Sequence, residues 1–165
     1  MSNKYDKVMV ECAKVWSQES YCTKAKVGAV LADDGRIVAT GYNGTIKGLS
    51  NECEFPEYFD GETEEVLLKA PFYCPVKKKH YKLKTSPFVV HAEQNVISFC
   101  AKEGIATNGL TMYVTLSPCE NCAKLIASVG IKKVVYLEEY KRTEGIQFLK
   151  DCNVEVIKYK GEENV

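Results

Sequence analysis

Two short segments of this chain carry residues whose types and spacing dictate chemistry: His91-Ala92-Glu93 and, beginning twenty-five residues past Glu93, Pro118-Cys119-Glu120-Asn121-Cys122. One imidazole and two thiolates suit zinc, and three protein ligands leave a fourth coordination position open for water. Such a site activates water for hydrolysis when a neighbouring group moves the protons. Glu93 is the carboxylate left over, and it takes that shuttle role.

The spacing also says what must position these groups. Cys119 and Cys122 are three apart, so a helix starting at or just before Glu120 turns both sulfurs toward one point near its N-terminus. The helix dipole favours thiolates there. His91 and Glu93 cannot share a face inside a regular helix, which places them at the entry of a helix over about 91–102. Two helix N-termini then converge on one ion. A closed structural zinc site, or two buried cysteines with a core histidine, are the blander alternatives. The pairing of both motifs, each opening a helix, favours the open catalytic arrangement.

Periodicity supplies the frame. Tyr5, Val8, Met9, Cys12, Val15 and Trp16 recur at helical spacing. The apolar runs 27–32 and 36–40, joined at Asp33-Asp34-Gly35, predict an antiparallel hairpin. Further strands are expected at 111–116, 133–137 and 154–159, with helices over about 122–129, closed by Gly130, and 143–151. That order predicts an α/β fold: three layers, α/β/α, around a five-stranded mixed sheet whose later strands are parallel. The stretch 45–88 reads as a long irregular insertion, acidic first and basic later. A solvated surface of cancelling charge is the favoured reading; a basic patch at Lys77 to Lys84 is the sharper one. Cys12, Cys100 and Cys152 are expected to pack in the core.

At 165 residues the chain is one domain by size, 1–165 with the insertion at about 45–88. Its 22 basic and 22 acidic side chains cancel, so no long-range field draws it to nucleic acid or an anionic membrane. No apolar run approaches a membrane span. Met1-Ser2-Asn3-Lys4-Tyr5-Asp6 leads into an amphipathic pattern rather than a secretory leader, so a cytoplasmic location is expected, the host cytoplasm for a viral protein. Its eight cysteines would be reduced there, which favours metal binding over a disulfide framework.

The HxE and PCxxC pair matches the signature of zinc nucleobase deaminases. Taken with Cys22-Thr23-Lys24-Ala25-Lys26-Val27-Gly28-Ala29-Val30, Gly41-Tyr42-Asn43-Gly44, His91-Ala92-Glu93-Gln94-Asn95 and Thr115-Leu116-Ser117-Pro118-Cys119-Glu120-Asn121-Cys122-Ala123-Lys124, it makes the chain resemble the cytidine deaminase superfamily. Within that superfamily it is similar to the deoxycytidylate (dCMP) deaminase branch, where an insertion before the HxE motif is typical. Nucleoside deaminases usually carry a third cysteine where His91 stands. The resemblance implies a cytidine deaminase-like fold and hydrolysis of dCMP to dUMP and ammonia, supplying dUMP for thymidylate synthesis. Water would attack C4 of the cytosine, with Glu93 serving as base and then as acid.

Further roles rest on the same resemblance. Asn43 would hydrogen-bond the substrate sugar, although Asn43-Gly44 is also a good turn dipeptide. Tyr140 would lie against the nucleotide, at the strand edge where ligands collect, or be a loop tyrosine with no role. Cys22 and Cys53 match two ligands of a structural zinc found in some relatives. One related form has a glutamate two residues before the HxE motif, where this chain has Val89, so Cys74 and His80 are left to complete a closed Cys3His site. Ordinary thiols are the alternative. Many members of the branch are homo-oligomers, often hexamers, activated by dCTP and inhibited by dTTP, with magnesium bridging the effector phosphates. Gly41, Tyr42 and Gly44 would then belong to the effector loop, with Phe99 and Lys102 near it or at a subunit contact. Lys102 keeps the charge of the arginine that relatives can have there, but not its bidentate fork. Two other functions stay open: a deaminase of another cytosine or adenine substrate, and a noncatalytic zinc-stabilised binding module.

Overall fold

The computed structural model describes residues 4–161; Met1, Ser2 and Asn3 of the opening segment, and both ends of the 1–165 assignment, lie outside the described residues. Helix α1 (Asp6–Ser17) leads into β1 (Gly28–Asp33) and β2 (Arg36–Tyr42), which pair antiparallel from Asp33↔Arg36 to Gly28↔Tyr42. Asp34 and Gly35 between them have φ of 37° and 89°. Two positive φ values make a type I′ turn, whose twist suits a two-residue hairpin and whose backbone an Asp-Gly pair tolerates.

The other edge of β1 pairs antiparallel with β8 (Thr111–Leu116); β9 (Lys133–Glu138) and β10 (Glu155–Lys158) then add in parallel, giving the order β10-β9-β8-β1-β2. This is the five-stranded mixed sheet expected from the element order. Both faces are covered. Val30, Ala32, Tyr113 and Val135 meet Met9, Val10 and Ala13 of α1. The opposite face, with Ala29, Leu31, Met112, Val114 and Val134, meets helices α3 (Ala92–Glu103), α4 (Glu120–Ser128) and α5 (Glu144–Asp151). Burial on two sides explains why β1 and β9 read as unbroken apolar runs rather than alternating ones. Gly130, with φ 74°, follows the end of α4 in the left-handed conformation that stops a helix.

Helix α1 is fixed by a contact and by a buried polar group. A Cβ at Gly28 would stand 2.0 Å from the Ala13 carbonyl oxygen, so the helix backbone lies directly on the start of β1. Asp6 is buried at 1% exposure, accepts the Tyr113 hydroxyl at 2.9 Å and sits 3.8 Å from the buried Lys133 ammonium. The carboxylate therefore joins the first helix to two central strands.

The segment 45–88 departs from the irregular stretch inferred from its composition. β3 (Gly44–Thr45) pairs with β7 (Val89–Val90), while β4 (Glu54–Phe59), β5 (Phe72–Cys74) and β6 (Lys79–Thr85) form an antiparallel sheet in the order β4-β6-β5, with α2 (Glu64–Lys69) between β4 and β5. The opposite charges of its two halves meet across strands. Lys82 and Lys84 reach Glu57 at 2.8 and 3.4 Å, and Lys79 reaches Asp60 at 2.7 Å. Exposed pairs of this kind are worth at most about 1 kcal/mol each. Aromatic contacts of Tyr81 with Tyr58 and Phe72 add to the ladder. Much of the lysine cluster is thus spent within its own sheet. One cysteine is also misplaced by the sequence reading: Cys100 is buried in the core and Cys12 flanks it, but Cys152 caps the end of α5 and is exposed. No helix among the described residues is long and apolar enough to cross a membrane.

Candidate active site

His91 is the N-cap of α3 and Glu93 the second residue of its first turn; Cys119 is the N-cap of α4, and Cys122 its third residue. The side chain of Gln94 reaches back to accept the His91 N–H at 2.9 Å, which fixes the helix entry. Asn95 donates to the Tyr42 carbonyl at 2.6 Å and ties α3 to β2. Val96, Cys122, Ala123 and Ile126 are fully buried, so the core sets the position of both helix starts. Ser117, between β8 and Cys119, accepts the Tyr140 N–H at 2.8 Å and joins the loops that follow β8 and β9.

This scaffold brings the three expected ligands together. The Sγ atoms of Cys119 and Cys122 stand 3.6 and 3.3 Å from His91 Nδ1, and all three atoms lie within 4.8 Å of one another. Ligand atoms bonded to zinc at about 2.0–2.3 Å in a tetrahedron are about 3.6 Å apart. The donor set therefore fits zinc in both chemistry and spacing. Hydrogen bonds from the Cys122 thiol and then from His91 hold the Cys119 thiol down to about 3, while the bond to Cys119 and burial push Cys122 up. Coordination requires Cys122 to release its proton. Glu93 is 3% exposed, and burial pushes its carboxyl up from the ordinary range, the direction that suits a group both taking and giving protons.

A cavity of about 440 Å³ opens over these groups, with His91, Glu93 and Cys119 in its wall together with Asn43 and Tyr140. The Asn43 amide is partly occupied: its Oδ1 accepts the Val27 N–H and its Nδ2 donates to the Ala25 carbonyl, each at 2.8 Å. One donor and one lone pair are left for another partner. Gly41 and Tyr42 lie outside this wall. A Cβ on Gly41 would meet Val96 Cγ2 at 3.0 Å and the Ala92 carbonyl at 3.1 Å, so this glycine lets α3 approach β2, and Tyr42 stacks on Trp16. Gly44 pairs with Val90; Phe99 is exposed on α3, and Lys102 meets its neighbour Glu103 at 3.4 Å.

The proposed Cys3His set is corrected. Cys22 and Cys53 are neighbouring buried thiols, but Cys74 and His80 lie on the insertion sheet, and His91, Cys119 and Cys122 are the only three-ligand group among the described residues. Cys74 faces Lys79 and Tyr73 faces His80. Directly opposed residues share a face and successive ones alternate, so Cys74 and His80 point to opposite sides of their sheet. Metal analysis is expected to give about one zinc per chain, unchanged in Cys74→Ser. Two zincs falling to one in that variant would restore the four-ligand set.

Sequence reasoning passed over Glu54, Ser117 and Gly145. A Cβ at Gly145 would sit 2.2 Å from the Pro118 carbonyl oxygen, which presses the start of α5 against the metal-ligand loop. Ser117 adjoins the PCxxC motif and could have been suspected. The other two act through chain-distant contacts that no local pattern announces.

Residues 2–138 match the family model of the cytidine and deoxycytidylate deaminase zinc-binding region. The chain belongs to this family. Among similar deaminases, the deoxycytidylate deaminase of Enterobacteria phage T4 is 39% identical over 152 residues, covering 82% of this chain and 79% of that protein. That of Mycobacterium phage D29 is 34% identical over 135 residues, covering 82% and 95%. Of solved structures, dCMP deaminase from the cyanophage S-TIM5, in complex with dCMP and dUMP, is 36% identical and superposes with a TM-score of 0.75 over 96% of this chain and 99% of the other. In a zinc-binding deaminase domain, the cluster at the two helix N-termini is the set of residues fit for the metal.

Proposed function

We propose that this deaminase converts dCMP to dUMP and ammonia, with His91, Cys119 and Cys122 holding zinc. The observation that carries the reading is the metal-spaced ligand triad beside a buried carboxylate in one cavity. Zinc bound there supplies Lewis acidity, which makes water nucleophilic near neutral pH. Glu93 takes a proton from that water as its oxygen bonds to C4 of the cytosine, and delivers the proton to N3. It then moves the remaining hydroxyl proton to the amino nitrogen; the C4–N bond breaks, ammonia leaves and the C4 carbonyl forms. One water is consumed and no redox partner is needed. The free amide positions of Asn43 and the ring of Tyr140 are assigned to the nucleotide. A purely structural metal site has no use for a buried carboxylate at the ion, which disfavours the binding-module alternative.

The relatives named deoxycytidylate deaminase, and the dCMP and dUMP in the cyanophage complex, support this substrate over other cytosine or adenine compounds. On the same likeness we place the enzyme upstream of thymidylate synthesis, as a hexamer activated by dCTP and inhibited by dTTP, with magnesium on the effector phosphates. Parallel assays of dCMP, deoxycytidine, cytosine and single-stranded DNA, with dCTP, with dTTP and with neither, test both parts. dCMP is expected to be turned over best, with sigmoidal kinetics made hyperbolic by dCTP. Preference for another substrate would overturn the first part; kinetics indifferent to either effector, the second.

A further inference from the structure

The cavity over the ligand triad has a buried floor and an exposed mouth. Glu93, Asn43 and Ser117 form part of the floor, and Lys24, Tyr140 and Lys141 part of the mouth. Two carboxylates also line it, and both are engaged. Glu54 Oε1 accepts the backbone N–H groups of Thr23 and Lys24, each at 3.2 Å; its Oε2 accepts the Thr23 N–H at 3.1 Å and hydroxyl at 3.0 Å. Glu139 lies 3.6 Å from the Lys158 ammonium and accepts the Tyr136 hydroxyl at 3.4 Å. Among the described residues, Lys24 and Lys141 have no carboxylate within ion-pair reach. Both carboxylates thus have their acceptor oxygens engaged, while the two ammonium groups remain available to an anion. On a chain with no net charge, two ammonium groups that meet no carboxylate among the described residues line the opening of this cavity.

Glu54 comes from the insertion, and the segment it grips has no regular structure between α1 and β1. That segment is clamped twice. Asn43 holds it at Ala25 and Val27, on the floor side, and Glu54 holds it at Thr23 and Lys24, on the mouth side. Resting on the reading of dCMP as substrate, we infer that Glu54 is a positioning residue: it fixes the Thr23–Lys24 backbone so that Lys24, with Lys141 from the loop after β9, selects substrates carrying a terminal phosphate. The insertion then helps to set which cytosine compounds the site accepts.

The test uses the zinc-loaded enzyme and measures kcat and KM for dCMP and for deoxycytidine. Lys24→Ala is expected to raise the KM for dCMP about 10- to 100-fold, the range for loss of a charge-assisted hydrogen bond, with kcat at saturation within about threefold. Its dCMP-over-deoxycytidine preference falls by a similar factor. Glu54→Ala shifts KM and preference in the same direction, and Glu54→Gln, which keeps one acceptor oxygen, recovers part of the loss. Equal losses on both substrates, or a fall in kcat with loss of zinc, would make these residues merely structural and overturn the inference. A wild-type enzyme inactive on dCMP would instead sink the substrate reading itself. Wild-type activity with KM unmoved in all three variants sinks only the role of Lys24 and Glu54.

Discussion

Glu93→Gln is expected to bind zinc as the wild type does and to lose at least about a thousandfold in turnover, within the range that a positioned acid–base group contributes. The substitution is nearly isosteric. The ligand atoms proposed for zinc belong to His91, Cys119 and Cys122, so this substitution leaves them in place. What disappears is the carboxylate buried at the triad, and with it the proton transfers assigned to it: from water to N3 on attack, and from the C4 hydroxyl to the amine on departure. Metal analysis alongside steady-state kinetics checks it. Near-normal turnover with zinc retained would mean that another group moves the protons.

The largest stability effect is expected at the other side of the sheet. Asp6→Ala removes a buried carboxylate that accepts the Tyr113 hydroxyl and faces the Lys133 ammonium, itself buried. Taking away one partner of a buried pair costs about 3–5 kcal/mol, here by leaving the Tyr113 hydroxyl without this acceptor and the Lys133 ammonium without this counter-charge. For a chain of this size that corresponds to a fall in Tm of roughly 6–20 °C. The ligand triad is held by α3 and α4 on the opposite face, so the KM and kcat of the folded fraction should stay within about twofold. Thermal unfolding with parallel kinetics measures both; a shift under about 2 °C would show that Asp6 is dispensable.

These two residues differ in how openly the sequence announces them. Glu93 lies between ligands whose identity and spacing leave little else to do, and helix entry follows because His91 and Glu93 cannot share a helical face. Asp6 is an unremarkable acid at the start of an amphipathic helix; Tyr113 and Lys133 are more than a hundred residues away. The same contrast runs through the fold. Helical periodicity and the Asp-Gly turn are local signals, and they located α1, the β1–β2 hairpin and the later elements closely. The strands of the insertion were not legible: Lys79–Thr85 is polar and partly exposed on both faces, so no alternation of period two marks it. Its order comes from cross-strand charge and ring contacts set by pairing. Cys74 and His80 show the cost of reading ligand types without register, since a shift of one residue on a strand reverses the side from which a group can bind.

Gly145 offers no ligand atom and does not line the cavity, yet its missing side chain lets α5 seat against Pro118 and Cys119. Seen mechanically, the metal loop is cast between two surfaces, the core beneath α4 and the start of α5, and it has no slack on the second side. The start of α5, past residue 138 and outside the span matched to the family, is therefore part of the mould. Tolerance to substitution at Gly145 should follow the tolerance of the metal-ligand geometry rather than that of an ordinary helix start.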